Sequence, residues 1–395
     1  MRAEALHQRP KPIESLIRRK AAHPTAVASD LRATVVLDLL DDGCFTLRIS
    51  GGLIEVIPVA AKHWDTKIET DSATLTAVLS GKVSGAEAYL QSKIRVRGNL
   101  ALALKVEWIF EARKPNEHPR PASVLAGGID TFYLEAGKGT PVILLHGLGA
   151  TNASFLPTMV DLAKHYRVIA PDLPGFGESG KPVRAYDARF FARWLSDFMD
   201  ELGIESAHLV GNSMGGRIAL EMAMEFPDRV DRMVLLTPSM AFIRGRQFVP
   251  LVMLLRSELA AIPILLSRRQ ALAGVRSMFA RPSRLPDCWY DSAIDEFFRV
   301  FTTPRGRMAL FSAARQIYLE PPHGRRGFWE RIRKVDSPAL FVWGDTDRLV
   351  PARFARHVTS ALPGAKSVVL KDCGHVPQFE LPAKTNKLVR EFLAG

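Results

Sequence analysis

Cysteine is scarce in this sequence, which has only three among its 395 residues. Cys44, Cys288 and Cys373 lie far apart, so they fit neither a disulfide framework nor a zinc site. A small buried thiol is the interpretation we favour for Cys373. Because no metal-ligand cluster and no phosphate-cradling loop is visible either, the sequence predicts no metal and no cofactor.

Long apolar runs are also missing. No uninterrupted stretch reaches the ~18–20 apolar residues that span a bilayer. The most hydrophobic segment, residues 248–266, is interrupted by two prolines and two charged residues. Residues 1–20 are mixed and basic, and they lack the apolar core of a signal peptide. These absences predict a cytoplasmic protein, and its hydrophobic content of 47% is that of an ordinary globular chain.

Positive charge is in excess and is unevenly distributed. The formal net charge is +12, and residues 240–334 alone contain 17 lysines and arginines against 7 aspartates and glutamates. A basic, apolar segment fits peripheral contact with an anionic membrane or with acidic substrates, although a solvated arginine-rich helix face explains the charge more simply. No recognisable nucleic-acid-binding module accompanies the charge, so nucleic acid is not an expected partner.

The length of the chain favours two or three domains. Residues 1–30 are polar and predict a loose arm with one short helix. Residues 31–111 predict a first domain of short strands and helices. The charged, proline-rich residues 112–125 predict a linker. Residues 126–395 predict a second domain, which carries an insertion at residues 240–334.

The first domain opens with runs of partial period-two alternation, which predict an antiparallel meander followed by helices and one more strand. The predicted strands are residues 34–39, 45–49, 54–59, 66–70 and 93–97, and the predicted helices lie near residues 72–81, 85–90 and 100–110.

This series of strands, followed by ATLTAVLSGKVSGAEAYLQSKIRVRGNLALAL at residues 73–104, resembles the sterol carrier protein family of lipid-binding domains over residues 31–111. The resemblance implies an α+β fold in which a curved sheet and helices enclose an apolar tunnel for lipid or acyl chains. The family's N-terminal helix is short or degraded in this sequence. A packing or dimerisation module without a ligand is the alternative.

In the second domain strands alternate with helices, so we expect a mostly parallel sheet covered on both faces. The stretch that organises it is GNSMGG, residues 211–216, between a short buried strand and a helix. So tight a turn strains Ser213 and directs its hydroxyl above the sheet, while the glycines remove colliding Cβ atoms. Met214 begins the helix, so its N–H points to where a negative oxygen would form. We predict that Ser213 is a nucleophile, and a plain turn is the alternative.

A serine hydroxyl needs an adjacent base, and the base needs a carboxylate to orient it. His375 follows a strand in the string GHVP, so its ring can reach over the carboxyl edge of the sheet. Asp345 and Asp347 both follow the preceding strand. The residues alone leave both aspartates as candidates.

Five motifs occur in the order HGLG, DLPGFGES, GNSMGG, WGDTDRLVP and GHVPQFE. They resemble the α/β-hydrolase family over residues 126–395. The resemblance implies that Asp347 is the acid and Asp345 a turn residue, in the chain order Ser, Asp, His. It also implies that the Leu148 N–H is a second oxyanion donor beside that of Met214, and we expect His146 to be structural.

The insertion at residues 240–334 is placed like this family's cap over the active site. Its apolar residues indicate either an apolar roof or ordinary helix packing. The residues in question are Phe248, Leu251, Met253, Leu254, Ile262, Leu265 and Leu266.

Together these residues predict a serine hydrolase that cleaves carboxylic esters of hydrophobic or lipid-like substrates through an acyl-enzyme. The GNSMGG string also resembles hydrolases that cleave carbon–carbon bonds in ring-fission products, although that group commonly has tryptophan where this chain has Val376. A lipid carrier with a vestigial hydrolase fold is the third hypothesis. The intact set of Ser213, Asp347 and His375 argues against it.

Overall fold

The structure is a computed structural model that describes residues 12–110, 115–241, 249–254, 256–262, 265–324 and 327–395. Parts of the predicted arm, linker and insertion lie outside these ranges. The chain divides into two units, Met1–Pro115 and Asn116–Gly395, and each is built on its own sheet.

The first unit is an α+β structure, as predicted. Its helices are α1 Pro12–Ala21, α2 Ser72–Leu79, α3 Gly85–Leu90 and α4 Leu100–Phe110, and its strands are β1 Arg32–Leu39, β2 Gly43–Ser50, β3 Leu53–Ile57, β4 Thr66–Thr70 and β5 Arg95–Gly98.

The five strands of the first unit have the order β3-β2-β1-β4-β5. β1, β2 and β3 form the predicted antiparallel meander, but the prediction was wrong for β4, which pairs with β1 in parallel. A parallel pair requires a crossover, since a hairpin can join only antiparallel neighbours. The residues between β3 and β4 supply this crossover.

The helices of the first unit begin at side-chain caps. Asp71 accepts a hydrogen bond from the Thr74 N–H at 2.6 Å, and Ser84 and Glu87 form a capping box at the start of α3. These bonds satisfy backbone donors that have no partner within the helix. α4 is buried along almost its whole length, which places its apolar side chains in the core of this unit.

Helix α1 is a short helix, as predicted within residues 1–30, but it packs on this unit and is not part of a loose arm. Ile13 and Ile17, one helical turn apart, are buried, and the Arg18 side chain donates to the Val56 carbonyl of β3 at 3.1 Å. The packing of this helix was hard to predict because few apolar positions within ten residues face the core, and charged residues fill most of the rest.

The second unit alternates strands with helices. Its strands are β6 Arg120–Ala126, β7 Ile129–Ala136, β8 Pro141–Leu145, β9 Arg167–Pro171, β10 Ala207–Asn212, β11 Val230–Leu236, β12 Ala339–Gly344 and β13 Lys366–Leu370. Its helices are α5 Leu156–Leu162, α6 Ala188–Glu201, α7 Met214–Glu225, α8 Val249–Leu254, α9 Arg268–Arg276, α10 Asp287–Phe301, α11 Pro304–Tyr318, α12 Phe328–Arg331, α13 Ala355–Ala361, α14 Pro377–Glu380 and α15 Pro382–Leu393.

The eight strands of the second unit have the order β13-β12-β11-β10-β8-β9-β7-β6. The pairs from β13 to β9 are parallel, and only the pairs that involve β7 are antiparallel. The mostly parallel sheet is therefore confirmed. Every residue of β10 and β12 is buried, as expected for strands covered on both faces.

Strand β6 occupies part of the segment that was predicted to be a linker, residues 112–125. It pairs with β7 in antiparallel register, with Pro121 opposite Leu134. β6 is the outermost strand of the sheet. An edge strand tolerates proline because the missing N–H can face solvent, so the prolines that suggested a linker are compatible with a strand.

The carboxyl ends of the parallel strands meet at one edge of the sheet. His146 follows β8, Ser213 follows β10, Asp347 follows β12 and His375 follows β13. Helices α8 to α12 of the insertion lie between β11 and β12 in the chain, and β11 also ends at this edge. Ligands of open α/β sheets bind at such an edge.

Across the described ranges, no helix combines the length and the hydropathy needed to cross a bilayer.

Candidate active site

Ser213 lies at a strained turn between β10 and α7. Its backbone has φ 53° and ψ −111°, a conformation that a residue with a side chain rarely adopts. A Cβ atom at Gly215 would lie 1.9 Å from the Leu145 carbonyl oxygen, and one at Gly211 would lie 2.4 Å from the Gly215 oxygen. The turn therefore requires glycine at both positions, and the predicted strained turn is confirmed.

The backbone of Ser213 is held on both sides. Its N–H donates to the Leu236 carbonyl at 2.9 Å, and its own carbonyl accepts from the Ser239 N–H at 2.9 Å. These bonds to the end of β11 fix the turn to the neighbouring strand. Such bonds compensate for the conformational energy of a positive φ at a non-glycine residue.

His375 and Asp347 form a buried pair. His375 Nδ1 lies 2.7 Å from Asp347 Oδ2, and the other oxygen, Oδ1, accepts from the backbone N–H groups of Leu349 and Val350 at 2.7 and 3.0 Å. Because Oδ1 is already bonded, Oδ2 is the oxygen available to the imidazole. A proton on Nδ1 that donates to this carboxylate leaves Nε2 as a base.

Asp345, the competing aspartate, has a different environment. Its Oδ1 accepts from the Cys373 N–H at 3.3 Å, which ties the loop after β12 to the loop after β13. The structure thus pairs Asp347, and not Asp345, with the histidine. Burial raises the pKa of the Cys373 thiol to about 12, so this buried cysteine stays protonated.

Two polar side chains bring His375 next to the Ser213 turn. The Asn212 side-chain amide donates to the His375 carbonyl at 3.1 Å, and the Thr237 hydroxyl donates to the same oxygen at 2.8 Å. The amide also donates to the Thr237 hydroxyl at 3.0 Å. Asn212 directly precedes Ser213, so this buried network joins the serine turn to the histidine loop.

The loop after β8 lies against the same turn. A Cβ atom at Gly147 would lie 3.5 Å from the Ser213 Cβ, so Leu148, the next residue, lies beside the serine. Met214 is the first residue of α7, so its N–H has no partner within the helix. Of the two predicted oxyanion donors, Met214 directly follows Ser213, and Leu148 belongs to the loop that contacts the serine turn.

His146 connects the loop after β8 to the loop after β9. Its Nε2 accepts from the Leu173 N–H at 2.9 Å, and its Nδ1 lies 2.8 Å from the Gly147 oxygen, so the ring is neutral with the proton on Nδ1. Burial lowers the pKa of His146 to about 4. The structural role expected for His146 agrees with these contacts.

Asp172, from the string DLPGFGES, stabilises the loop after β9. The carboxylate is buried and accepts from the N–H groups of Asn152 and Glu178 at 2.8 Å each. A Cβ atom at Gly177 would lie 1.9 Å from Asp172 Oδ2, so the loop can close around this carboxylate only with glycine there. Burial raises the pKa of Asp172 to about 7.

The insertion covers the site, which confirms the predicted helical cap. Phe297 of α10 and Leu310 of α11 lie 3.6–3.7 Å from where a Gly149 Cβ atom would be, so both helices lie over the loop after β8. On the other side, the His375 N–H donates to the Met278 carbonyl at 2.7 Å.

Four of the residues for which an apolar roof or ordinary helix packing was expected are exposed. Met253, Leu254, Ile262 and Leu265 therefore do not pack in a core. Leu266 is half-buried and packs against a small cluster of cap residues. Phe248 and the side chain of Leu251 lie outside the described residues.

Glu380 joins the cap to the histidine loop. Its buried carboxylate accepts from the Gly374 N–H at 2.7 Å and from the Arg281 N–H at 2.9 Å. Sequence reasoning did not identify Glu380, Asn212 or Thr237. The only available signal was that Glu380 and Asn212 lie inside the GHVPQFE and GNSMGG motifs.

In the described part of the chain, no group of three or more His, Cys, Asp or Glu residues is arranged to hold a metal ion.

Comparison with known proteins identifies both units. Residues 140–382 match the α/β hydrolase fold family, and residues 13–111 match the SCP-2 sterol transfer family. A 2-hydroxymuconate semialdehyde hydrolase from Pseudomonas sp. strain CF600 is 32% identical over 285 residues, which cover 69% of this chain and 93% of that protein.

Two further matches have a similar sequence identity. The dihydrolipoyllysine-residue acetyltransferase component of an acetoin cleaving system from Cupriavidus necator is 30% identical over 283 residues, covering 68% of this chain and 67% of that protein. The crystal structure of a serine hydrolase involved in carbazole degradation is 28% identical with a TM-score of 0.58, covering 70% of this chain and 99% of that one. This chain therefore belongs to the α/β-hydrolase fold family and carries an N-terminal SCP-2 domain.

Proposed function

We propose that this protein is a serine hydrolase that cleaves carboxylic esters of hydrophobic, lipid-like substrates through an acyl-enzyme. The proposal rests on one arrangement: a strained Ser213 beside a buried pair in which His375 Nδ1 lies 2.7 Å from Asp347 Oδ2. Asn212 and Thr237 hold the histidine backbone next to the serine turn. A serine nucleophile requires a base of this kind, oriented by a carboxylate and held near the serine.

The reaction proceeds in two halves. Ser213 Oγ attacks the ester carbonyl carbon while its proton passes to His375 Nε2, and Asp347 stabilises the resulting imidazolium. The N–H groups of Leu148 and Met214 bind the oxyanion of the tetrahedral intermediate. Collapse of the intermediate breaks the bond to the alcohol, which leaves with the proton from His375. A water molecule then attacks the acyl-enzyme by the same route and releases the carboxylic acid.

The lining of the cap supports an uncharged, hydrophobic substrate. Phe297 and Leu310 are the cap side chains nearest to Gly149. Arg299, on the same helix as Phe297, forms ion pairs with Glu178 and with Glu296, the latter at 2.6 Å, so its charge is balanced. An apolar acyl chain gains about 0.8 kcal/mol for each methylene that is removed from water. The SCP-2 domain supports the same substrate class, and we propose that it holds or delivers the lipid-like substrate.

The substrate class can be tested with p-nitrophenyl esters of increasing acyl length. We expect kcat/KM to rise from acetate through octanoate, by at most roughly fourfold per methylene. Each methylene that is buried contributes at most about 0.8 kcal/mol of transfer free energy. Rates should be measured below the critical micelle concentration of each ester, with Ser213→Ala as the background control. A flat or falling series would contradict the hydrophobic substrate.

Cleavage of a carbon–carbon bond is the second candidate. A relative at 32% identity is named 2-hydroxymuconate semialdehyde hydrolase, which supports this alternative. The chain has Val376 where that group commonly has tryptophan. A coloured dienoate substrate separates the two reactions, because its absorbance is lost on cleavage. A kcat/KM for the dienoate that exceeds that of the best ester would favour the carbon–carbon hydrolase.

A further inference from the structure

The cap exposes a set of large apolar side chains. Met253, Leu254, Ile262 and Leu265, which we call the apolar strip, are 54%, 71%, 57% and 98% exposed. Single exposed apolar residues are ordinary, but several within one short segment of a cap mark a surface that contacts another phase or molecule.

The backbone of this segment is anchored, so its exposed side chains have a defined orientation. The Arg307 guanidinium donates to the Ala260 carbonyl at 2.8 Å, and Arg315 donates to the Met253 carbonyl. Ala260 is buried and packs with Phe301 and Phe311. Met253 and Ala260 are thus held against α11, with Ala260 buried and the four side chains of the apolar strip exposed.

Positive charge accompanies the apolar strip. Arg256 and Arg269 are both exposed and lie within four residues of members of the strip. Neither guanidinium has an ion pair with a carboxylate in the described ranges, whereas Arg268 beside them is paired with Asp291 and Asp295. Cationic side chains around an exposed apolar surface are complementary to an anionic lipid headgroup layer.

We propose that the apolar strip, together with Arg256 and Arg269, docks the cap on an anionic bilayer surface. The apolar side chains enter the boundary between headgroups and acyl chains, and the arginines contact the lipid phosphates. The same insertion covers the loop beside Ser213 through α10 and α11. Docking would therefore place the cap of the proposed site next to the phase in which lipid-like substrates are concentrated.

The test is vesicle cosedimentation of the full chain. Vesicles of phosphatidylcholine with 30% phosphatidylglycerol should bind the protein at least tenfold more tightly than pure phosphatidylcholine at low salt, and 0.5 M salt should weaken this binding because it screens the charges. A variant with serine at all four positions of the apolar strip should bind at least tenfold more weakly. Arg256→Gln combined with Arg269→Gln should remove most of the preference for anionic vesicles.

A matched control is available in the same unit. Leu125 and Val183 are 62% and 73% exposed but lie outside the cap, so serine at both positions should leave vesicle binding unchanged. The serine and glutamine variants of these surface residues should retain activity on a short soluble ester, which verifies folding. Because docking does not require catalysis, Ser213→Ala should bind vesicles like the unaltered protein, so this test can fail independently of the proposed function.

Three results would overturn the proposal. Equal binding to neutral and anionic vesicles would remove the role of the arginines. Binding that persists in the four-serine variant would place the contact elsewhere. Concentration-dependent dimerisation that disappears in the same variant, without vesicle binding by the unaltered protein, would assign the strip to a second copy of this chain.

Discussion

Ser213→Ala should lower kcat for the best ester by a factor on the order of 10³–10⁶, the range seen when a serine nucleophile is removed from a preorganised site. Alanine has no oxygen with which to form the acyl-enzyme, while the Leu148 and Met214 N–H groups remain in place. KM should change little, because substrate contacts to the cap are retained. The measurement is initial rate under saturating substrate, with the melting temperature as the check on folding.

Covalent labelling distinguishes this mechanism from a lipid carrier. A fluorophosphonate probe should label the folded wild-type protein stoichiometrically and should not label Ser213→Ala. The buried Cys373 thiol, whose pKa is raised to about 12 by burial, should not contribute to labelling. Folded wild-type protein that resists the probe and shows no hydrolysis would favour the carrier hypothesis.

Asp347→Asn should lower kcat by about 10⁴, as when a buried triad aspartate is replaced by its amide in other serine hydrolases. The asparagine oxygen can still accept from Leu349 and Val350, which turns the amide NH₂ towards His375 Nδ1. Nδ1 must then act as an acceptor, so the proton moves to Nε2. The imidazole in that tautomer cannot take the Ser213 proton.

Asp345→Asn is the matched control for this prediction. It makes the same chemical change two positions away. In the described structure, the only hydrogen bond of the Asp345 side chain is the one that it accepts from the Cys373 N–H at 3.3 Å. An asparagine oxygen can keep that bond, so kcat should stay within about threefold of wild type. A large loss in Asp345→Asn together with a small loss in Asp347→Asn would show that the acid is misassigned.

The strained serine turn could be predicted because its causes are local. Glycines at 211 and 215, a strand before and a helix after Ser213 together determine the backbone there, and all of them are visible in the sequence. That the catalytic candidates follow strands ending at one sheet edge likewise follows from the alternation of strands with helices. Motif resemblance, more than residue chemistry, separated Asp347 from Asp345.

The features that the sequence did not indicate depend on distant partners. The carbonyl of His375 accepts from Asn212 and Thr237, which lie 163 and 138 positions earlier, and no local pattern encodes these bonds. β6 was obscured because prolines suggest a linker unless the strand is known to be at an edge. The exposure of the apolar strip was not predicted, because hydrophobicity alone does not say whether a side chain faces a core or solvent.

The bonds of Glu380 and Met278 imply that the insertion does not move as one body. The Met278 carbonyl accepts from the His375 N–H, and the Glu380 carboxylate accepts from both Arg281 and Gly374, so displacing residues 278–281 would also disturb the loop that carries the imidazole. We expect the part of the insertion that contains residues 278–281 to keep these contacts through every turnover. We therefore expect a bulky acyl chain to enter and leave on another flank of the cap, and α8, which carries the exposed Met253 and Leu254, is a candidate for the part that moves.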